Sequence, residues 1–371
     1  MKLSCTQENL SRGLNLCSRI VSSPKTLPIL SNVLISTEKG RLKLSVTNLE
    51  VGINLWLRAK IDQEGSITIP ARILSDFISN NPDKNINLET EKLNLKIYSE
   101  NSQAIIAGIE SEEFPVIPSI KQDQGFEISP KELEKTIPKT IIACAVDESR
   151  PVLSGVLFNF MGNKLKLVAT DSYRLAETSL NLEHKIDLPK VIVPLKTMQE
   201  IHRIIGTSQI EAKEKIKINL AENQILFKFS DAIEVVSRLI EGSFPNYEQI
   251  IPTSPSTIVE ISRNNFLSAI KSASLFSQNA ANNIRIKTEK DKLLVLAHSS
   301  QIGDSKTTVK ANISGEDLEL AFNARFILDA LNNLSGEKIE LGLTEKLAPA
   351  KIIDPRDKNY LYVIMPLRTE E

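Results

Sequence analysis

The side chains in this chain that could carry chemistry are few and scattered. Its three histidines, His184, His202 and His298, stand far apart and share no metal-ligand spacing. A lone histidine of this kind reads as a surface or satisfied core residue. The acidic pair Asp147-Glu148 could serve as a general base and its neighbour, but Arg150 follows two residues later, and a solvated loop accounts for all three. Cys5, Cys17 and Cys144 are an odd number without metal-like spacing, in a chain too long to need disulfide staples. Reduced thiols in a cytoplasmic protein are the expectation. No glycine-rich phosphate loop and no nucleophile elbow occurs. The sequence therefore offers no catalytic residues, no metal site and no cofactor site.

The elements that would have to position such groups are those of an ordinary globular protein. Hydrophobic residues make up 41% and charged residues 25%, with only 14 Gly and 17 Pro in 371 residues, which excludes disordered and collagen-like classes. The 45 Lys and Arg nearly balance 46 Asp and Glu, so any nucleic-acid surface must be local. Met1-Lys2-Leu3-Ser4-Cys5 has the outline of a lipoprotein cleavage box, but no apolar stretch of roughly 7–15 residues precedes the cysteine. No stretch long enough to span a membrane is expected either.

The organising feature is an internal repeat. Leu27-Pro28-Ile29-Leu30-Ser31-Asn32-Val33-Leu34 with Gly40-Arg41-Leu42-Lys43-Leu44 returns as Arg150-Pro151-Val152-Leu153-Ser154-Gly155-Val156-Leu157 with Asn163-Lys164-Leu165-Lys166-Leu167, and more faintly as Asn283-Ile284-Arg285-Ile286 with Asp291-Lys292-Leu293-Leu294-Val295. Ile69-Pro70-Ala71-Arg72, Val193-Pro194-Leu195-Lys196 and Phe322-Asn323-Ala324-Arg325 keep the same register, and Glu113-Phe114-Pro115 recurs as Ser243-Phe244-Pro245. Linker-like stretches follow these last two, predicting domains over 1–124, 125–254 and 255–371.

Each copy opens on an amphipathic segment (Gln7 to Val21, Ser129 to Ala145, Ser262 to Ser277), with Ser129 plus Glu132, and Ser262, as helix-start signals. Alternating segments such as Ile216-Lys217-Ile218-Asn219-Leu220 and Ile225-Leu226-Phe227-Lys228-Phe229 predict hairpins. Pro138 falls inside the second helical pattern and predicts a kink or interruption. The class is α+β: three repeated domains, each with two helices and mostly antiparallel sheet. The helical windows hold more basic than acidic side chains, among them Arg12, Arg72, Lys135, Lys196, Lys271 and Arg325. Ordinary solvated helix faces look the same. If these helices faced one lumen, sparse positive charge would suit a sequence-indifferent phosphate backbone.

Four motifs carry a specific likeness. Leu27-Pro28-Ile29-Leu30, the segment Val168-Ala169-Thr170-Asp171-Ser172-Tyr173-Arg174-Leu175-Ala176, the box Phe244-Pro245-Asn246-Tyr247 and the terminal Tyr362-Val363-Ile364-Met365-Pro366-Leu367-Arg368 resemble, in order and over essentially the whole chain, the bacterial DNA polymerase III beta subunit family, the sliding clamps. The resemblance implies a head-to-tail homodimeric ring that encircles double-stranded DNA without sequence preference and acts as a processivity factor in DNA replication. It also implies partners: a clamp loader, the DNA polymerase III alpha subunit, and other polymerases and repair proteins that dock through linear peptides. Nucleotidyltransferase activity, that of a DNA-directed DNA polymerase, would belong to the assembled holoenzyme and not to this chain.

Matched position by position, the family's peptide pocket falls on Leu153, Thr170, Ser172, Tyr173, Arg174, Leu175, Pro245, Gln249, Ile250, Pro349, Val363, Ile364, Met365, Pro366, Leu367 and Arg368, with Arg174 and Arg368 supplying donors. Ordinary core is the competing reading of the apolar members. Ser172-Tyr173 replaces the Gly-His found in many members, and Thr369-Glu370-Glu371 extends past the usual ending. DNA contacts are implied at Lys25 (displaced by one residue), Arg72, Arg150 and Lys196. The dimer interface is implied around Ile106 and at Leu275-Phe276, which could instead be internal core. Two other readings stand beside this one: a peptide-binding scaffold that never encircles DNA, and an enzyme whose site is assembled from unrecognised parts.

Overall fold

A computed structural model describes residues 1–21, 27–120, 125–147, 149–207, 214–277 and 282–368. Among them six α-helices occur in three pairs: α1 (Gln7–Ser18) and α2 (Ala71–Ser79), α3 (Pro130–Ile141) and α4 (Leu195–Thr207), α5 (Arg263–Ser274) and α6 (Ala324–Asn333). The remaining elements are antiparallel strands and short 3-10 turns. No described helix is long and apolar enough to cross a membrane.

The chain divides into two compact units: residues 1–131 with 203–239, and residues 132–202 with 240–371. In the first unit, a five-stranded sheet runs in the order Lys60–Gln63, Lys2–Thr6, Asn85–Glu91, Asn94–Tyr98, Gln103–Ala107. An eight-stranded sheet joins the early strands Ser66–Pro70, Asn32–Glu38, Arg41–Thr47 and Val51–Leu57 to Ile233–Arg238, Gln224–Phe229, Ile216–Ala221 and Gly125–Ile128. Sheets are thus shared between successive repeats. The Val51–Leu57 strand, from the first repeat, pairs with Ile233–Arg238, from the second.

Helix α1 shows why the sequence folds locally as it does. The Thr6 hydroxyl accepts the Asn9 N–H and caps the first turn, while Leu10, Leu14 and Cys17 repeat at helical spacing and are buried. Gly13 lies on the buried face because a Cβ there would sit 2.9 Å from the Leu55 and Leu57 side chains. The absent side chain sets how closely helix and sheet approach.

The second unit carries one twelve-stranded sheet. Its order is Val191–Pro194, Gly155–Met161, Lys164–Thr170, Arg174–Asn181, Tyr360–Ile364, Ala350–Ile353, Lys338–Leu343, Thr257–Ser262, Gly303–Gly315, Lys292–Ser299, Asn283–Glu289, Glu319–Asn323. Again a strand of one repeat, Arg174–Asn181, pairs with a strand of the next, Tyr360–Ile364.

Two local expectations need correction. Helix α3 runs unbroken through Pro138, which falls in its last turn. The carbonyl deprived of its N–H partner belongs to Glu134, an exposed residue that water can reach. Ser262 occupies the N-cap position of α5 but its side chain makes no cap hydrogen bond, whereas Asn323 caps α6 by accepting the Arg325 N–H at 2.9 Å.

Candidate functional site

Within the second unit, neighbouring strands assemble an apolar floor. Leu157 lies opposite Val168, and Leu175 opposite Val363, on adjacent strands. Together with Ile192 and Tyr247 these four form one buried cluster, flanked by Val152, Ile240, Phe244, Ile251 and Leu361. Tyr247 enters from the 3-10 turn Tyr247–Ile250, its ring edge-on to Phe244 at 6.4 Å between centroids. Burial, then the nearby Glu177 charge, pushes its phenol above the usual range. Leu153 is buried as well.

Above the floor stands a rim. Tyr173 is 58% exposed, and Ser172, Pro245, Gln249, Ile250 and Arg368 are exposed too. Met365, Leu367 and Pro349 are half-buried, while Ile364 and Pro366 are buried. A self-bonded turn holds Tyr173 outward: the Thr170 hydroxyl donates to the Arg174 carbonyl at 2.7 Å and accepts the Ser172 N–H at 3.1 Å, and one Asp171 carboxylate oxygen accepts the Tyr173 and Arg174 N–H groups at 2.9 and 3.0 Å. Ser172 sits at φ 77°, in the left-handed region where a non-glycine residue is strained by about 1–3 kcal/mol. The bonds around it offset that cost. The C-terminal segment lies alongside, with the Met365 N–H donating to the Tyr173 carbonyl at 2.8 Å and the Leu367 N–H to the Ala321 carbonyl at 2.8 Å.

Arg174, expected as a donor to a bound peptide, has partners within the chain. Its Nε donates to Asp171 Oδ2 at 3.0 Å, its Nη1 donates to Asp329, and its guanidinium lies 4.3 Å from the Phe326 ring centroid. With its side chain 10% exposed, it staples the turn to α6. Arg368 is an exposed cation on the rim. Leu175 is likewise fully buried, so it belongs to the floor and not to an open wall. Sequence reasoning quoted the box containing Phe244 and Tyr247 without placing either in the site; their aromatic side chains beside Pro245 were the signal for them.

The expected DNA contacts separate. Lys25 lies outside the described residues. Arg72 and Lys196 are exposed at the second position of α2 and α4. Arg325 is exposed at the same position of α6, and the repeat alignment of Ala71-Arg72, Leu195-Lys196 and Ala324-Arg325 was the signal that could have included it. Arg150 instead reaches the turn at Ser172, its Nη1 donating to the Ser172 hydroxyl at 2.7 Å. Three helical cations are used internally: Lys139 pairs with Asp357 at 2.6 Å, Arg203 donates to the Leu16 carbonyl at 2.6 Å, and Arg263 to the Leu331 carbonyl at 3.1 Å.

Of the expected interface residues, Leu275 is 60% exposed and Phe276 half-buried at the end of α5, but Ile106 is buried. The strand alternates, and Ile105, at 62% exposure, is the apolar side chain that faces outward.

Asp147 accepts the N–H and hydroxyl of Ser149 at 2.9 and 2.6 Å, bonds that hold its carboxyl below the usual range, and Glu148 lies outside the described residues. Among the described residues no group of three or more His, Cys, Asp or Glu could hold a metal. Burial pushes the thiols of Cys5, Cys17 and Cys144 up to about 12, so they are protonated and unreactive at neutral pH.

Fold and site together define a repeat-built α+β scaffold with an exposed rim over an apolar floor in its second unit. Three domain families match the chain in sequence order: the N-terminal domain of the DNA polymerase III beta subunit over residues 1–118, its central domain over 127–246 and its C-terminal domain over 248–368. The beta sliding clamps of Staphylococcus epidermidis and Staphylococcus aureus are each 30% identical to it over 380 residues, covering 100% of both chains. Among solved structures, the DNA polymerase sliding clamp of Bacillus subtilis superposes with a TM-score of 0.95 at 27% identity, and the sliding clamp of Bartonella birtlesii bound to griselimycin with 0.95 at 29%, each covering 100% of both chains. This chain belongs to the DNA polymerase III beta subunit family.

Proposed function

We propose that this protein is a sliding clamp, a non-catalytic ring that encircles duplex DNA and tethers the replicative polymerase. The observation that carries the reading is the pattern of strand pairing between repeats. Val51–Leu57 of the first repeat pairs with Ile233–Arg238 of the second, and Arg174–Asn181 of the second pairs with Tyr360–Ile364 of the third. Counted along the repeats, the strands that would make a third junction of this kind are Gln103–Ala107, a sheet edge, and residues 303–310, which pair with Lys292–Ser299 alone. They are the missing halves of a third junction. A second copy can supply the partner of each strand, and head-to-tail pairing then closes a ring and hides both.

In that reading the domains are 1–124, 125–254 and 255–371. Ile105, Leu275 and Phe276 provide apolar contact at the third junction, with Ile106 supporting its strand from beneath. Arg72, Lys196 and Arg325 meet phosphates, as would Lys25, while Arg150 acts at the Ser172 turn. The shelf carrying Tyr173, Ile250, Met365, Leu367 and Arg368 over the floor of Leu157, Leu175, Tyr247 and Val363 receives linear peptides from the polymerase alpha subunit, the clamp loader, and other polymerases and repair proteins. A peptide-binding scaffold that does not encircle DNA would leave Gln103–Ala107 and residues 303–310 without the cross-repeat partner that their counterparts have. The test is mass and shape in solution: a dimer whose electron-microscopy averages show a central hole. A monomer at micromolar concentration, or a dimer without a hole, contradicts the reading.

A further inference from the structure

The turn that presents Tyr173 is built a second time, in the first unit. The Thr47 hydroxyl donates to the Val51 carbonyl at 3.0 Å and accepts the Leu49 N–H at 3.0 Å, and Asn48 Oδ1 accepts the Glu50 and Val51 N–H groups at 3.0 and 2.8 Å. These are bond for bond the contacts of Thr170 and Asp171. Leu49 takes φ 75° where Ser172 takes 77°. The neighbouring strand also matches: the Arg238 N–H donates to the Glu50 carbonyl at 2.9 Å, as Met365 does to Tyr173 at 2.8 Å. Phe114-Pro115-Val116-Ile117 lies near the end of the first repeat as Phe244-Pro245-Asn246-Tyr247 lies near the end of the second.

One substitution changes what the scaffold encloses. Gly52 stands where the second turn has Leu175, and Ile117 moves into the space: a Cβ on Gly52 would lie 2.8 Å from Ile117 Cγ2. A slot of about 90 Å³ remains, lined by Val51, Gly52, Val236 and Ile117. That is less than the roughly 150 Å³ known to admit a benzene ring, and suits a single aliphatic side chain. Its shoulders are open and apolar, with Leu49 45% and Val116 90% exposed. Arg238, exposed, lines the slot with Gln224 and Glu50, its neighbours on the two adjoining strands.

We propose that this slot is a second docking site for an extended peptide of a partner protein, anchored by one aliphatic side chain and carrying an acidic residue next to it. Arg238 selects the occupant, because an acid next to the anchor is attracted to its exposed guanidinium. The inference rests on the peptide-binding reading of the Tyr173 turn. Because Gly52 and Ile117 leave a shallower slot than a full peptide shelf, affinity is weak and set by the single anchor.

The test is methyl NMR on the full-length protein labelled at Ile, Leu and Val, titrated with a capped Ser-Ser-Leu-Asp-Ser peptide and with its Ser-Ser-Ala-Asp-Ser counterpart. The Ile117 and Val236 methyls should shift saturably with the Leu peptide, at least tenfold more weakly with the Ala peptide, and several-fold more weakly in Arg238→Glu, whose thermal unfolding should match the wild type. Static or non-saturating Ile117 and Val236 signals overturn the proposal, as do shifts that follow protein concentration instead of peptide. The Leu157 and Val363 methyls separate the failures in the same spectra: if they respond while Ile117 and Val236 do not, only the second site is lost, and if none responds the peptide reading of both turns falls.

Discussion

Leu175 and Tyr173 are two residues apart on one turn and strand, and their truncation should give opposite results. Leu175 is fully buried between Val363 on the next strand and the rest of the floor. Leu175→Ala removes three carbons at about 0.8 kcal/mol each, and the cavity left behind raises the loss of stability to about 3 kcal/mol. Tyr173 is mostly exposed, and its place is fixed by main-chain bonds to Asp171 that survive truncation. Tyr173→Ala should therefore change stability by less than about 0.5 kcal/mol, yet weaken a bound linear peptide by about 1–3 kcal/mol if the ring is an anchor contact. Urea unfolding followed by far-UV circular dichroism reads the first quantity, since the single tryptophan, Trp56, lies in the other unit. Fluorescence anisotropy with a labelled polymerase-tail peptide reads the second. The reasoning is refuted if Tyr173→Ala lowers the unfolding midpoint as much as Leu175→Ala, or leaves peptide affinity unchanged.

Further outcomes follow from other parts of the molecule. Burial alone would raise the Asp357 carboxyl, but the Lys139 hydrogen bond and charge outweigh it and hold the group below its ordinary value. A depressed folded-state value stabilises above the unfolded value of about 3.9 and loses that contribution as pH falls through the lower folded one, so Asp357→Asn should cost on the order of 2–3 kcal/mol at neutral pH and progressively less below about pH 4 in a urea series. Replacing Arg72, Lys196 and Arg325 together with Ala should reduce the salt dependence of direct duplex binding, by up to about 0.9 in logarithmic slope for each phosphate no longer neutralised, with no change in secondary structure. The buried, protonated thiols of Cys5, Cys17 and Cys144 should resist a thiol reagent in the native protein and all react in urea; rapid native labelling would show that one is accessible.

Much of this architecture is legible in the sequence because it depends on local pattern. Helix α1 and the Ile216–Ala221 and Gln224–Phe229 hairpin follow from apolar spacing and a polar turn, and the threefold repeat from recurring motifs. What sequence reasoning missed lies in long-range pairing. Arg174 reads as a free donor because Asp329, which bonds to it, is 155 residues away, and Asp357, the partner of Lys139, lies 218 residues on. Ile105 and Ile106 are equivalent in composition, and only the register of the edge strand decides which faces outward. The sharing of sheets between repeats is also invisible in a repeat alignment, since each copy carries the same strands whether it pairs within itself or with its neighbour.

The central claim is topological, and retention on DNA of different form tests it most directly. The protein is loaded by a bacterial clamp loader onto a nicked circle, passed through a sizing column at high salt, and the circle is then cut once. The account predicts that the protein stays with the circle in salt that abolishes binding to linear duplex, and leaves when the circle is cut. Equal loss from circular and linear DNA, or retention after the cut, would contradict it.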